Sequence, residues 1–240
     1  MRVSIFITCL VDQFHPEVGQ AMLAVFDRLG IHSHVPRGQT CCGQPAFNSG
    51  CRDEATRVAR QFVTAFAGGD DVIVAPSGYC TEMVKKHVPA LFADGSRERA
   101  EAEAVGGRVR EFSDFLVNVV GVTDVGARFA HKVTYHDSCH LLRGLGIRHE
   151  PRALLAAVRD ASVVDLPASD TCCGFGGTFA MKYPAISGEM GQEKLQYAMA
   201  TGAEYLVACD TGCLMHLRGM IVRGALPLRA VHLAEVLAST

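Results

Sequence analysis

Three things are missing from this 240-residue chain. It lacks a charge excess: 23 Lys and Arg against 25 Asp and Glu leave a formal net charge of -2, with the two signs interleaved. There is thus no basic stripe for nucleic acid and no polybasic membrane anchor, and small molecules or proteins suit it better as partners. It also lacks any apolar stretch approaching the roughly 18 to 20 residues of a membrane-spanning helix. Finally, no export signal is expected at its start. Arg2 precedes the apolar run Val3 to Val11, but the charged region is minimal and no small-residue cleavage site follows, so the run reads as a first strand. A soluble, cytoplasmic protein is expected, not an integral membrane one. At 49% hydrophobic residues the chain buries a real core, which excludes disorder.

What is present in quantity is cysteine, ten residues in all. A chain of this size without an export signal keeps them reduced, so metal ligation or thiol chemistry explains them better than disulfides. Two pairs are adjacent, Cys41-Cys42 and Cys172-Cys173, in TCCGQPAFNSG and TCCGFGGTFA. Neighbours make poor disulfide partners, because a bridge wants Cα atoms about 4.4 to 6.8 Å apart and adjacent residues offer roughly 3.8 Å.

Aligning the two pairs aligns much else. Cys9 with Cys139, Cys41 with Cys172 and Cys80 with Cys213 recur in order at an almost constant offset of 130 to 133 residues, the mark of an internal duplication. RVSIFITC and HKVTYHDSC each read as a strand ending at a cysteine, and DDVIVAPSGYC and AEYLVACDTGC as strands running into a turn before one. Val18, Met22, Val25, Phe26 and Leu29 share one helical face, as do Ala55, Val58, Phe62 and Phe66. Ser187 is expected to cap a helix reaching toward Met199, with Gly202 as its stop. Helices near Phe112 to Val120 and Val231 to Ala238 close the two halves. The charged stretch Asp94 to Glu111 and the segment Gly121 to Ala130 read as connectors, with a boundary near residue 125. Alternating strands and helices predict an α/β fold of two similar, pseudo-symmetric lobes, each a small parallel sheet flanked by helices.

In open parallel sheets ligands bind beyond the carboxyl ends of the strands. Cys9, Cys80, Cys139 and Cys213 all follow expected strands, and the adjacent pairs fall in strand-to-helix loops. Each half can therefore gather four thiols: Cys9, Cys41, Cys42 and Cys80, then Cys139, Cys172, Cys173 and Cys213. Gly43, Gly174, Gly176 and Gly177 allow positive φ and let amide N-H groups approach sulfur. Four soft thiolates suit iron-sulfur clusters, Zn(II) or Cu(I). Adjacent cysteines point apart and reach different metals of a larger inorganic unit more naturally than one tetrahedral ion, which favours iron-sulfur over zinc.

The pattern C-x31-CCG with a later S-x-x-C, repeated as C-x32-CCG with a later D-x-x-C, resembles the cysteine-rich CCG domain. That domain occurs in heterodisulfide reductase and in the iron-sulfur subunits of glycolate oxidase and anaerobic glycerol-3-phosphate dehydrogenase. CCGQPAFNSG, TYHDSCHLLRGL, CCGFGGTFAMKYP and CDTGCLMH resemble the lactate utilization protein A (LutA, YkgE-type) family, from Cys9 to His216. The resemblance implies two CCG domains, 1-125 and 126-240, and an iron-sulfur electron-transfer subunit of a multicomponent system oxidising L-lactate to pyruvate. Its implied partners are a LutB-like ferredoxin-type iron-sulfur protein and a LutC-like protein. It implies cluster ligation by the eight paired cysteines, with [4Fe-4S] as the cluster the four thiols of each half can hold. In the fuller pattern the last element is C-x-x-C, where this chain has Ser77 and Asp210. Cys209, Asp210, Ser77 and His140 are accordingly candidates for additional ligation.

This reading assigns no catalytic residue to the chain, and makes it an electron-transfer component of a larger oxidoreductase rather than an enzyme by itself. Three alternatives stand beside it: the iron-sulfur subunit of another oxidoreductase such as glycolate oxidase, a thiol-disulfide reductase like heterodisulfide reductase, and a zinc-stabilised binding protein. Among the remaining residues, Cys51 is expected to pack as a small hydrophobe. For His136, Asp137 and His140 a hydrogen bond to a thiolate or plain structural satisfaction is expected ahead of direct ligation. Met215 and His216 continue a helical face. The GFGG run lacks both G-x-G-x-x-G and a Walker lysine, so nucleotide binding is not expected.

Overall fold

A computed structural model describes all residues, 1-240. The strands are β1 (Arg2-Ile5), β2 (His32-His34), β3 (Val72-Ala75) and β4 (Val109-Glu111), then β5 (Lys132-Tyr135), β6 (Ser162-Val164), β7 (Tyr205-Ala208) and β8 (Arg229-His232). They form two four-stranded sheets in the orders β2-β1-β3-β4 and β6-β5-β7-β8. Every pairing is parallel, with Val3 opposite Val72 in one sheet and Val133 opposite Tyr205 in the other. Parallel neighbours need crossovers, and helices supply them. In the first half these are α1 (Cys9-Phe14), α2 (Pro16-Arg28), α3 (Gln44-Asn48), α4 (Arg52-Phe66), α5 (Gly78-Glu82), α6 (Arg97-Arg108) and α7 (Phe112-Asp114). In the second they are α8 (His149-Ala156), α9 (Thr178-Lys182), α10 (Pro184-Ala200), α11 (Thr211-Arg223) and α12 (Leu233-Ala238). π-helical turns extend α5 through His87 and α7 through Val120, and a third spans His140-Gly144. No helix is long and apolar enough to cross a membrane.

The inner strands alternate their side chains between two cores, as the period of two requires. Phe6, Ile73 and Ala75 face a core private to the first half, and Leu206 and Ala208 one private to the second. Val3, Ile5, Val74, Val133, Tyr135 and Val207 face a third core of 29 buried residues that both halves share. Helix α12 packs on α2 across this core, and α7 packs on α8. These are reciprocal contacts, α2 matching α8 and α7 matching α12 in the repeat, so the halves meet as two copies related by a twofold axis would. Arg28 adds a polar tie, donating to Val125 O at 3.0 Å and to Leu237 O and Ala238 O at 3.0 and 2.7 Å.

Four local expectations are corrected. The apolar run Val3 to Val11 is not one strand: β1 ends at Ile5 and Cys9 opens α1. A short apolar run is equally at home in a buried strand and a buried helix start, so its hydrophobicity cannot mark the change. Asp94 to Glu111 is no connector but α6 and β4. Its alternating charges form the i,i+4 pairs Arg97-Glu101 and Arg99-Glu103 on a solvated face, Ser96 caps the helix by accepting Arg99 N-H at 3.2 Å, and Ala102 and Val105 turn inward. Ser187 lies inside α10, which Pro184 opens; its hydroxyl is buried and donates to Gly174 O at 2.8 Å. Cys51 is exposed at the start of α4 and packs in none of the three cores. The segment 121-130 carries neither helix nor strand and runs from the first sheet to the second.

Candidate metal centre

Parallel strands deliver all eight repeated cysteines to one rim. Cys9 follows β1, Cys41 and Cys42 lie between β2 and α3, and Cys80 sits in α5 after β3. Cys139 follows β5, Cys172 and Cys173 lie between β6 and α9, and Cys213 sits in α11 after β7. All eight line a single cavity of about 160 Å³ between the halves.

Within it the sulfurs form the two expected quartets. Cys9 Sγ is 3.5 Å from Cys41 Sγ, Cys42 Sγ is 3.4 Å from Cys80 Sγ, and Cys173 Sγ is 3.0 Å from Cys213 Sγ. Gly43 and Gly174 follow the pairs at φ of +86° and +89° and aim their amides at Cys41 Sγ and Cys172 Sγ, at 3.5 and 3.4 Å. A side chain is excluded at Gly174 twice over, since a Cβ there would lie 2.4 Å from Ser187 O.

The quartets carry negative charge readily. Donation from Cys42 and Cys9 lowers the Cys41 thiol to about 3, and donation from Cys139 and Cys173 lowers Cys172 to about 2. The donating thiols shift in the other direction: Cys9 and Cys139 rise because they hold a proton on the bond to their neighbour, and Cys42 and Cys173 rise for the same reason together with burial. Cys213 falls to about 6, chiefly through Cys173 and against its burial. Cys41 in the first quartet, and Cys172 and Cys213 in the second, are thus the thiols most readily ionised, each beside a donor, as soft-metal capture requires.

Around the sulfurs, Ser77 and Asp210 hold the places where the fuller motif has cysteine. Both line the cavity, and they meet: Ser77 Oγ donates to Asp210 Oδ1 at 2.5 Å, and Tyr79 N-H donates to the same oxygen at 3.0 Å. Equivalent residues in contact lie on the axis relating the halves. Asp210 Oδ2 is buried without a partner. His140 lines the cavity, its Nδ1 meets Glu82 Oε2 at 2.5 Å, and its ring lies edge-on to Tyr79. Cys209 stands behind the site rather than in it, fully buried and 3.3 Å from the Tyr135 hydroxyl, with burial pushing its thiol well up. Asp137 is taken by Arg152, at 2.7 and 2.6 Å, and by Ser169 Oγ at 2.8 Å. Burial would raise its carboxyl, but the Arg152 guanidinium holds it below the usual range.

Sequence reasoning passed over Thr8 and Ser138. Each immediately precedes the first cysteine of its quartet, each lines the cavity, and each is about 1% exposed with an unpartnered hydroxyl. A hydroxyl directly before each aligned cysteine was the available signal.

The profile of the CCG cysteine-rich domain matches residues 3-85 and 133-218. The chain is 44% identical over 238 residues to lactate utilization protein A 1 of Bacillus mycoides (strain KBAB4), covering 99% of this chain and 96% of the relative. It is 43% identical to lactate utilization protein A of Bacillus subtilis (strain 168) over 239 residues, with 100% of both chains covered. It is 44% identical to lactate utilization protein A of Geobacillus kaustophilus (strain HTA426) over 237 residues, at 99% and 98% coverage.

Proposed function

The chain belongs to the lactate utilization protein A family, with two CCG cysteine-rich domains, and from that premise we propose that it is the iron-sulfur electron-transfer subunit of a multicomponent system oxidising L-lactate to pyruvate. The observation that carries the proposal is the convergence of eight cysteines, four from each half, on one cavity. Residues 1-125 and 126-240 are the two domains. Cys9, Cys41, Cys42 and Cys80 hold one cluster, and Cys139, Cys172, Cys173 and Cys213 the other, each as [4Fe-4S]. When bound, such clusters supply one-electron carriers whose potential depends on burial and on hydrogen bonds to sulfur.

The donor set fits that role. It is thiolate-rich, which suits iron-sulfur chemistry. Two amides already point at sulfur, and the buried Thr8 and Ser138 hydroxyls have donor capacity that no protein group takes up. The chain's own work is to hold the thiolates, to offer these donors, and to keep water from the sulfurs. The LutB-like and LutC-like proteins exchange electrons with it, and lactate is oxidised at a partner or at a composite site.

Iron, acid-labile sulfide and zinc per chain, measured on protein purified without oxygen and joined to EPR, test the reading. About eight irons with matching sulfide are expected for two [4Fe-4S] centres, and about four would mean one. Stoichiometric zinc without sulfide would refute it. Deletion of the gene should abolish growth on L-lactate while sparing other carbon sources; normal growth on lactate without a redundant system would remove the metabolic assignment.

A further inference from the structure

The two quartets stand in matching frames over different floors. In the first half the residue leaving β1 is Phe6, whose amide donates to Val74 O at 2.9 Å; in the second the residue leaving β5 is His136, whose amide donates to Val207 O at 2.9 Å. The backbone thus places the two side chains alike. Phe6 rests in the private core with its ring 4.8 Å from that of Phe62. The fold therefore asks only for an apolar ring at this position, and the second half supplies an imidazole.

His136 is fully buried, and neither of its ring nitrogens has a hydrogen-bond partner. The next residue, Asp137, is committed to Arg152 and Ser169, and Lys194, which holds the place of Phe62 in the repeat, is committed to Ala168 O and Ser169 O. A buried imidazole left unpaired is costly, and a site that retains one has a use for it. What it faces is sulfur. One ring nitrogen of His136 and the Sγ atoms of Cys173 and Cys213 lie within 4.8 Å of one another, the spread of donors around a single metal ion. Imidazole and thiolate are compatible ligands for iron, zinc and cobalt.

We propose that His136 is a nitrogen ligand of the metal centre built on Cys139, Cys172, Cys173 and Cys213, an inference that rests on metal binding by that quartet. The two centres of the chain then differ in donor set, sulfur alone in the first half and sulfur with one imidazole in the second.

Pulsed EPR on protein labelled with 15N-histidine, purified without oxygen, tests it. A histidine-nitrogen coupling of the strength of direct coordination is expected in the native chain. It is lost in His136→Phe, which copies the first half, and in His136→Gln, while the signal of the first centre persists in both variants and shows that they fold. Absence of the coupling from the native chain, a coupling no stronger than that of an amide hydrogen-bonded to sulfur, or one that survives both substitutions would overturn the inference. Iron and sulfide content on the same samples separates this failure from failure of the iron-sulfur reading. If the chain holds no iron, Co(II) titration reads the same ligand: its absorption bands shift in His136→Gln when the imidazole is bound, and bands identical to the native ones refute ligation.

Discussion

The two halves share a topology and differ in what they put beneath it. The buried positions of α4 are Ala55, Ala59, Phe62, Val63 and Phe66; those of α10, at the same spacing, are Ser187, Gly191, Lys194, Leu195 and Ala198. Lys194 therefore takes the place of Phe62, as His136 takes that of Phe6. Under the first quartet lies an aromatic cluster in which Phe6 meets Phe62 and Phe66 edge-on, with centroids 4.8 and 5.7 Å apart. Under the second lies a polar layer of His136, Lys194 and the Asp137-Arg152 pair. The loops that carry the adjacent cysteines are moored accordingly. Gln39 ties the first to β1, accepting Ile7 N-H at 2.8 Å and donating to Ile5 O at 3.3 Å. Lys194 ties the second through Ala168 O and Ser169 O at 2.6 and 3.2 Å. A duplicated frame thus fixes where the thiols go and leaves their surroundings free to diverge.

The sharpest way to break the comparison is at the cysteines themselves. Cys42→Ser and Cys173→Ser should each remove the metal of its own half and leave the other centre spectroscopically intact, read as iron and sulfide per chain and by EPR. Loss of both centres from either substitution would mean that the quartets hold one shared unit. Next comes the floor. Phe62→Ala in the metal-free chain should cost about 3 to 5 kcal/mol of stability as a core truncation. Lys194→Met should cost about 1 to 3 kcal/mol, because two carbonyls lose their donor while the volume is kept. Urea unfolding measures both, and a larger loss at Lys194 than at Phe62 would reverse the order argued here.

A pH-dependent difference concerns the helix caps that end the two sheets. Glu111 caps α7 by accepting Ser113 N-H and Asp114 N-H, and His232 caps α12 through Ala234 N-H. Burial raises the Glu111 carboxyl from about 4.5 to about 8, while burial lowers His232. With its folded value raised, Glu111 binds more proton in the folded chain across that window, so its contribution to stability declines as pH rises from about 4.5 to about 8. His232 acts oppositely below its ordinary value of 6.5, where the unfolded chain binds more proton and stability rises with pH. Glu111→Gln should therefore remove the decline between about 4.5 and about 8 and, below 6.5, leave the His232 rise unopposed and steeper. A profile unchanged by the substitution would remove the carboxyl from the account.

The duplication, the parallel sheets and the two quartets were legible because each depends on local order in the chain. A short strand followed by a turn puts a cysteine at a strand's carboxyl end whichever way the lobes dock. What depends on docking was not legible. Nothing in the sequence says that Ser77 and Asp210 touch, that Cys209 points away from the cavity toward Tyr135, or that His140 finds Glu82. Local misreadings had local causes: alternating charge in 97-108 is equally the composition of a linker and of an exposed helix, and Ser187 resembles a cap until Pro184 is given its turn at the helix start.

The Ser77-Asp210 contact also bears on why such a protein is one chain. If each half were a separate, identical polypeptide, the axis would bring together two copies of the same residue, either two serines or two aspartates. Two buried carboxylates at that distance would repel, and one would have to take up a proton. Joining the copies end to end lets the axis carry an unlike, complementary couple, a hydroxyl facing a carboxylate, and so gives the assembly a left and a right. Under the proposed electron-transfer role, electrons would meet two distinguishable stations instead of two equal ones.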